Sequence, residues 1–182
     1  MRQLHPTLWR TCRTLANPTR LRLLQLLLER PGSNVSQLAE RLDLGISAAS
    51  QELRRLQSRG LIKRTIQGPS VIYLPVPDPQ VPSAAPLLKA LQAAWEADRN
   101  GSEAIARLAK GLACERRISL VRALVPQPQP SDQWAHLVRT RSDNLKKHVR
   151  ILRESGWVTK IDKRFALLPA GHPVQATLLK LL

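Results

Sequence analysis

Residues 46–74, ISAASQELRRLQSRGLIKRTIQGPSVIYL, decide how the rest of the chain is read. Ile46, Ala49, Leu53 and Leu56 recur at the spacing of one helical face, with Ser47, Ser50, Gln51 and Arg54 on the opposite face. One side is anchored and the other is free to touch a partner. Gly60 can take the left-handed conformation that ends a helix, and β-branched residues follow around a Gly68-Pro69 turn, which predicts a hairpin. A basic helix with short side chains and a basic hairpin behind it suits a DNA major groove and its flanking phosphates.

Working outward from that helix, residues 36–42 predict a short helix and Asp43-Leu44-Gly45 a tight turn, so the segment reads as a helix-turn-helix. Upstream, Asn17-Pro18-Thr19 supplies an N-cap followed by proline at the first helical position, and Leu21, Leu23, Leu24, Leu27 and Leu28 give the next helix a broad apolar face that ends at Pro31-Gly32. Residues 4–15 predict a first helix, with Arg10 and Arg13 outside. Downstream, PVPDPQVPSAAP has five prolines in twelve residues, which bars sheet or helix until about Ser83 and makes it a linker. Helices through Leu87, Leu88, Leu91 and Trp95 and through Ile105, Leu108 and Leu112 follow, with a domain boundary expected near Asn100.

The two halves also resemble each other. LANPTRLRLLQLL from Leu15 aligns without gaps to LACERRISLVRAL from Leu112, and SAASQELRRLQSRGLIKR from Ser47 aligns to DNLKKHVRILRESGWVTK from Asp143, pairing Arg20 with Arg117, Arg54 with Arg150 and Gly60 with Gly156. Tyr73-Leu74-Pro75 then matches Leu167-Leu168-Pro169. Two unrelated amphipathic helices would not reproduce this order, so the chain is read as a tandem repeat: an N-terminal unit over 1–100 and a more degenerate unit over 101–182. In the second, a short helix over 133–140 capped by Asp132 or Ser131 and a final helix in HPVQATLLKLL are expected.

Bulk composition points the same way. The 182 residues carry a formal charge of +16 and a pI near 11.4, which attracts polyanions, and 43% apolar content suffices for ordinary cores. One Phe, one Tyr and four Trp form no basic-interleaved series of the kind that stacks unpaired bases, favouring duplex over single strands. Cys12 and Cys114 fit neither a disulfide framework nor a zinc set, and no stretch resembles a signal peptide or membrane span, so a cytoplasmic chain without a membrane partner is expected. No carboxylate pair, nucleophile motif or phosphate loop suggests an enzyme, and no cofactor is implied.

LANPTRLRLLQLL, VSQLAERLDLGISAASQELRRLQSRGLIKR and a wing ending in VIYLP together resemble the ArsR-type winged helix-turn-helix transcriptional regulators, well over 15–75 and weakly over 112–169. The resemblance implies a DNA-binding repressor fold whose first and last helices form a dimer interface, with no enzymatic activity. Departures matter. Val35-Ser36-Gln37 stands where metal-sensing members carry Cys-x-Cys, and the helix from Leu87 to Trp95 lacks their His/Asp cluster, so the usual metal sites are missing. Glu52 occupies a position that is commonly His. The two units lie in one chain, which predicts a mainly α fold with small β wings, a monomeric pseudo-dimer imitating a dimer, and a homodimer as the alternative.

The residues expected to bind DNA are Ser47, Ala48, Ser50, Gln51 and Arg54 facing the groove, where Gln51 can bond an adenine edge and Arg54 or Arg55 guanine or phosphate. Arg55, Arg59, Lys63 and Arg64 are expected on phosphates. The second unit offers Lys146, Lys147 and Arg150, with Lys160, Lys163 and Arg164 on its wing and Arg139 and Arg141 before it, making it the more basic copy. Asp143 can accept from cytosine or cap its own helix, and the cap is the favoured reading. Cys114, at a helix start beside Arg116 and Arg117, and Cys12 are the candidates for redox sensing, against the plainer reading of small residues in a packed junction. Rival functions are an architectural protein that binds duplex without choosing sequence and a winged-helix protein-interaction module.

Overall fold

In a computed structural model, residues 7–130, 134 and 142–182 are described. Apart from Trp134, the expected helix over 133–140, its cap at Ser131 or Asp132, residues 4–6 of the expected first helix, and Arg139 and Arg141 lie outside these residues. Among the described residues the chain is mainly helical, with small antiparallel sheets. It divides into two compact units, one of residues 1–7 and 17–103 and the other of 8–16 and 104–182. Helix α1 (Leu8–Leu15) therefore groups with the second unit, whereas the sequence reading placed it at the head of the first.

The first unit begins at α2 (Pro18–Glu29). Asn17 Oδ1 accepts the Arg20 amide at 2.8 Å, and Pro18 occupies the first turn, where a missing N–H costs nothing. In α3 (Val35–Arg41) Asn34 and Gln37 form a reciprocal capping box. Its end is closed by Leu44 N–H donating to Ala39 O, with Asp43 left-handed at φ 52°. Helix α4 (Ile46–Gln57) follows, packed on α2 and α3 through Ala49, Leu53 and Leu56, all fully buried. Full burial of each leucine is worth roughly 1.5–3 kcal/mol, which fixes the roll of the helix.

Strands β1 (Lys63–Gln67) and β2 (Ser70–Leu74) pair antiparallel around Gly68, which is left-handed at φ 58°. The other edge of β2 is taken by the chain before α3: Asn34 bridges Ile72, and Tyr73 N–H donates to Ser33 O. The proline-rich stretch is folded back rather than loose. Asp78 N–H donates to Gly60 O at 2.8 Å and Val81 is buried, and α5 (Ala84–Ala97) then packs on α2.

In the second unit, α6 (Ser102–Leu112) begins at the junction and most of its length belongs here, followed by α7 (Glu115–Leu124) and a two-residue strand β3 (Gln129–Pro130). Helix α8 (Ser142–Glu154) leads to β4 (Val158–Ile161) and β5 (Arg164–Leu167), and the sheet order is β3-β5-β4. Helix α9 (Pro173–Lys180) is capped by His172, whose Nδ1 accepts the Val174 amide at 3.2 Å. Trp157 is fully buried, and its indole N–H donates to Leu108 O at 2.8 Å. Trp134 stacks on Phe165 at 4.2 Å.

Candidate nucleic-acid interface

Burial sorts α4 into two faces. Ser47, Ala48, Gln51, Arg54 and Arg55 are exposed and Ser50 is half-buried, opposite the fully buried Ala49, Leu53 and Leu56. Lys63 and Arg64 stand exposed on β1, and Arg59 is half-buried with its Nε donating to Ser58 Oγ. Ile46 departs from the sequence reading. It was assigned to the anchored face, yet its side chain is 60% exposed, while Ala49, one turn on, is the first residue of that stripe to be fully buried. Periodicity alone does not signal this, since residue 46 keeps the spacing of the buried set.

The roll of α4 is also set by a charged clamp. Arg20 of α2 is 6% exposed, and its Nε donates to Glu52 Oε2 at 2.6 Å. The other carboxylate oxygen of Glu52 takes Arg55 Nη1. Arg55, expected on phosphate, is therefore drawn back along the helix, while Arg54 makes no ion pair among the described residues. An exposed i,i+3 pair of this kind is weak enough to be exchanged for a phosphate. The clamp was half legible: Glu52 stood out as an unusual residue at its position, but its partner, 32 residues away, did not.

In the second unit Lys146, Lys147 and Arg150 are exposed on α8, and Lys160, Lys163 and Arg164 on its wing. Lys146 meets Asp143 at 3.4 Å and Arg150 meets Glu154 at 3.8 Å, both on the solvent side. Asp143 is thus inside the first turn of α8 and paired with Lys146, not its cap as expected. Residues 142–168 carry seven basic against three acidic side chains, and residues 46–74 five against one. The two heads are equally charged over these spans, and the extra charge of the second copy comes from Arg139 and Arg141, outside the described residues.

His148 aligns with Glu52 and Arg117 with Arg20, so the acid of the clamp is absent from the second unit. Arg117 turns instead to backbone, donating from Nε to Gly111 O at 2.6 Å and from Nη2 to Lys110 O at 2.9 Å. Burial, then Arg117 and Arg116, hold the His148 pKa below its ordinary value, and its Nδ1 is buried without a hydrogen-bond partner among the described residues. Burial likewise lowers the guanidinium pKa of Arg117 and the imidazole pKa of His172.

The two cysteines are both free. Cys12 is fully buried in α1, and burial pushes its thiol up to about 12, which opposes the thiolate that redox sensing requires. Cys114 is half-buried at the N-cap of α7 and makes no capping bond through its side chain. Among the described residues no group of three or more His, Cys, Asp and Glu is placed to hold a metal ion, and no helix is long and apolar enough to cross a membrane.

Residues 15–65, from the end of α1 into β1, match the family model of a helix-turn-helix domain. Neither the curated proteins nor the solved structures contain a match to the chain. The matched span contains the whole of α3, the turn and α4, so the chain carries a helix-turn-helix domain of the DNA-binding kind with α4 as its second helix.

Proposed function

We propose that this chain is a transcriptional regulator, repressing in type, that reads duplex DNA with two winged helix-turn-helix units and makes within one chain the pair of heads that ArsR-like relatives assemble between chains. The observation that carries the reading is the coincidence of the matched helix-turn-helix with the two-faced burial of α4. Ser47, Ala48, Ser50, Gln51 and Arg54 would face the groove, with Arg55, Arg59, Lys63 and Arg64 on phosphates. In the second unit the corresponding residues are Lys146, Lys147, Arg150, Lys160, Lys163 and Arg164.

Local equivalence supports two heads. Gly60 and Gly156 are both left-handed, at φ 71° and 78°, and the residue after each donates back to the helix, Leu61 to Leu56 O and Trp157 to Leu152 O. Each hairpin also pairs with the segment preceding its helix-turn-helix region, at Asn34 and at β3. The two heads would belong to an N-terminal domain over 1–100 and a C-terminal domain over 101–182, with α1 grouped with the second. The units differ in groove-facing residues, so the operator would be asymmetric.

Selection from a random duplex library tests the reading. A regulator returns an asymmetric site held about 10³-fold or more over unrelated duplex, bound by one chain, and Lys146→Glu/Lys147→Glu abolishes retention. An architectural protein gives a ratio near one. A protein-interaction module is indifferent to the charge reversal, and a perfect palindrome bound by two chains returns the homodimer model.

A further inference from the structure

The first turn of α4 holds an apolar group in water that nothing in its unit uses. Ile46 is 60% exposed, Ala48 is exposed two residues later, and around Gly45 there is nothing within 4 Å of where a Cβ would stand. The burial worth of an isoleucine is forgone here, whereas the aligned residue of the second unit is polar, Ser142, followed by Asp143 and Asn144. Ser50 and Arg54, at the i+4 and i+8 positions, carry the stripe from Ile46 along the helix.

The exposed face of this unit is basic, with Arg54 on the same helix and Lys63 and Arg64 on the wing, so a polyanion is the partner its charge selects. The apolar feature that duplex DNA offers in the major groove is the C5-methyl of thymine. We infer that Ile46 reads a thymine methyl group in the first unit's half of the site. Asp143 and Asn144 give the second unit no such contact. The preference for thymine is therefore confined to one half-site, independently of any hydrogen bond from Gln51. This inference rests on the DNA-binding reading above and adds a specificity-determining residue to it.

The test uses the full chain and sites selected from random duplexes, resynthesised with uracil replacing thymine at one position at a time, which removes the methyl and leaves base pairing unchanged. Uracil at one or two positions of a single half-site is expected to weaken the wild-type complex about fourfold each. Ile46→Ala, a substitution at an exposed position that favours helix, loses the same factor on thymine duplex and is then indifferent to uracil at those positions; Ile46→Val keeps part of the difference. If Ile46→Ala retains the full uracil penalty, or the wild type has none in either half-site, the inference is wrong while the DNA-binding reading survives. Failure to select any duplex removes both.

Discussion

Helix α4 is tied to its neighbour by an acid, and α8 lies against the same arginine position with a histidine. Arg20 and Glu52 close a charge pair that is mostly buried, with Arg55 on its outer edge. In the second unit Arg117 spends its donors on the carbonyls of Gly111 and Lys110, and His148 is left neutral against two arginines. The same fold position is thus held by a charge pair in one unit and by backbone hydrogen bonds with an uncharged ring in the other. A pair fixes the helix through side-chain charge at any neutral pH; a neutral histidine fixes it only while it stays unprotonated.

The comparison breaks most sharply at Glu52. Glu52→Ala removes a carboxylate from a guanidinium that remains buried, and should cost about 3 kcal/mol, lost from α2 and α4 first; hydrogen exchange resolved by helix reports where. The paired substitution Arg20→Met/Glu52→Leu should recover most of that loss, since an apolar pair of similar size carries no desolvation penalty. If the single substitution is neutral, α4 is held by its leucines alone and the two units do not differ in this respect.

Next in size is Gly111→Ala. A Cβ at Gly111 would come within 2.4 Å of Ser155 Oγ and 2.5 Å of Trp157 Nε1, against an indole that is already fixed by its bond to Leu108 O. The second unit should lose about 2 kcal/mol in denaturant unfolding, with α4 unaffected. Close packing of α6 on Trp157 has its counterpart in the first unit at Gly60, where Val81 would meet an added Cβ.

The smallest effect is the dependence on acid. The His148 and His172 pKa values are lowered below the ordinary 6.5, so folding favours their neutral forms. Stability from these groups is fully present above 6.5 and is lost as pH falls below it through the lowered folded-state values. Protonation of His172 also removes the Nδ1 acceptor that caps α9. Between about pH 7.5 and about pH 5, amides of α8 and α9 should lose protection, after correction for intrinsic exchange, while those of α4 keep theirs. His148→Glu, which supplies the missing acid, should remove the α8 part of this response; equal loss in α4 and α8 would argue that the substitution of His for Glu has no such consequence.

Much of the architecture was legible because its signals are local. Asn17-Pro18, the Gly60 stop and Gly68-Pro69 each act within one turn of the chain, and α2, α3, α4 and the wing lie where those signals put them. Ile46 was misread because helical spacing says which residues share a stripe but not how far along the helix the neighbours reach. Asp143 was misread because a helix start depends on where the preceding chain enters. The linker at residues 75–83 was read correctly as neither helix nor strand, yet its return to Gly60 was hidden, since proline content reports what a segment cannot form and not what it touches.

Sequence alone determined the elements, the exposed basic face of α4 and the repeated order of residues in the two halves, because apolar period, caps and glycines act over a few residues. Tertiary structure decided the Arg20–Glu52 clamp, its replacement around Arg117 and His148, the exposure of Ile46 and the grouping of α1 with the second unit. These depend on distances between groups far apart in the chain, where a charge, a ring or a methyl has meaning only through what the fold brings against it.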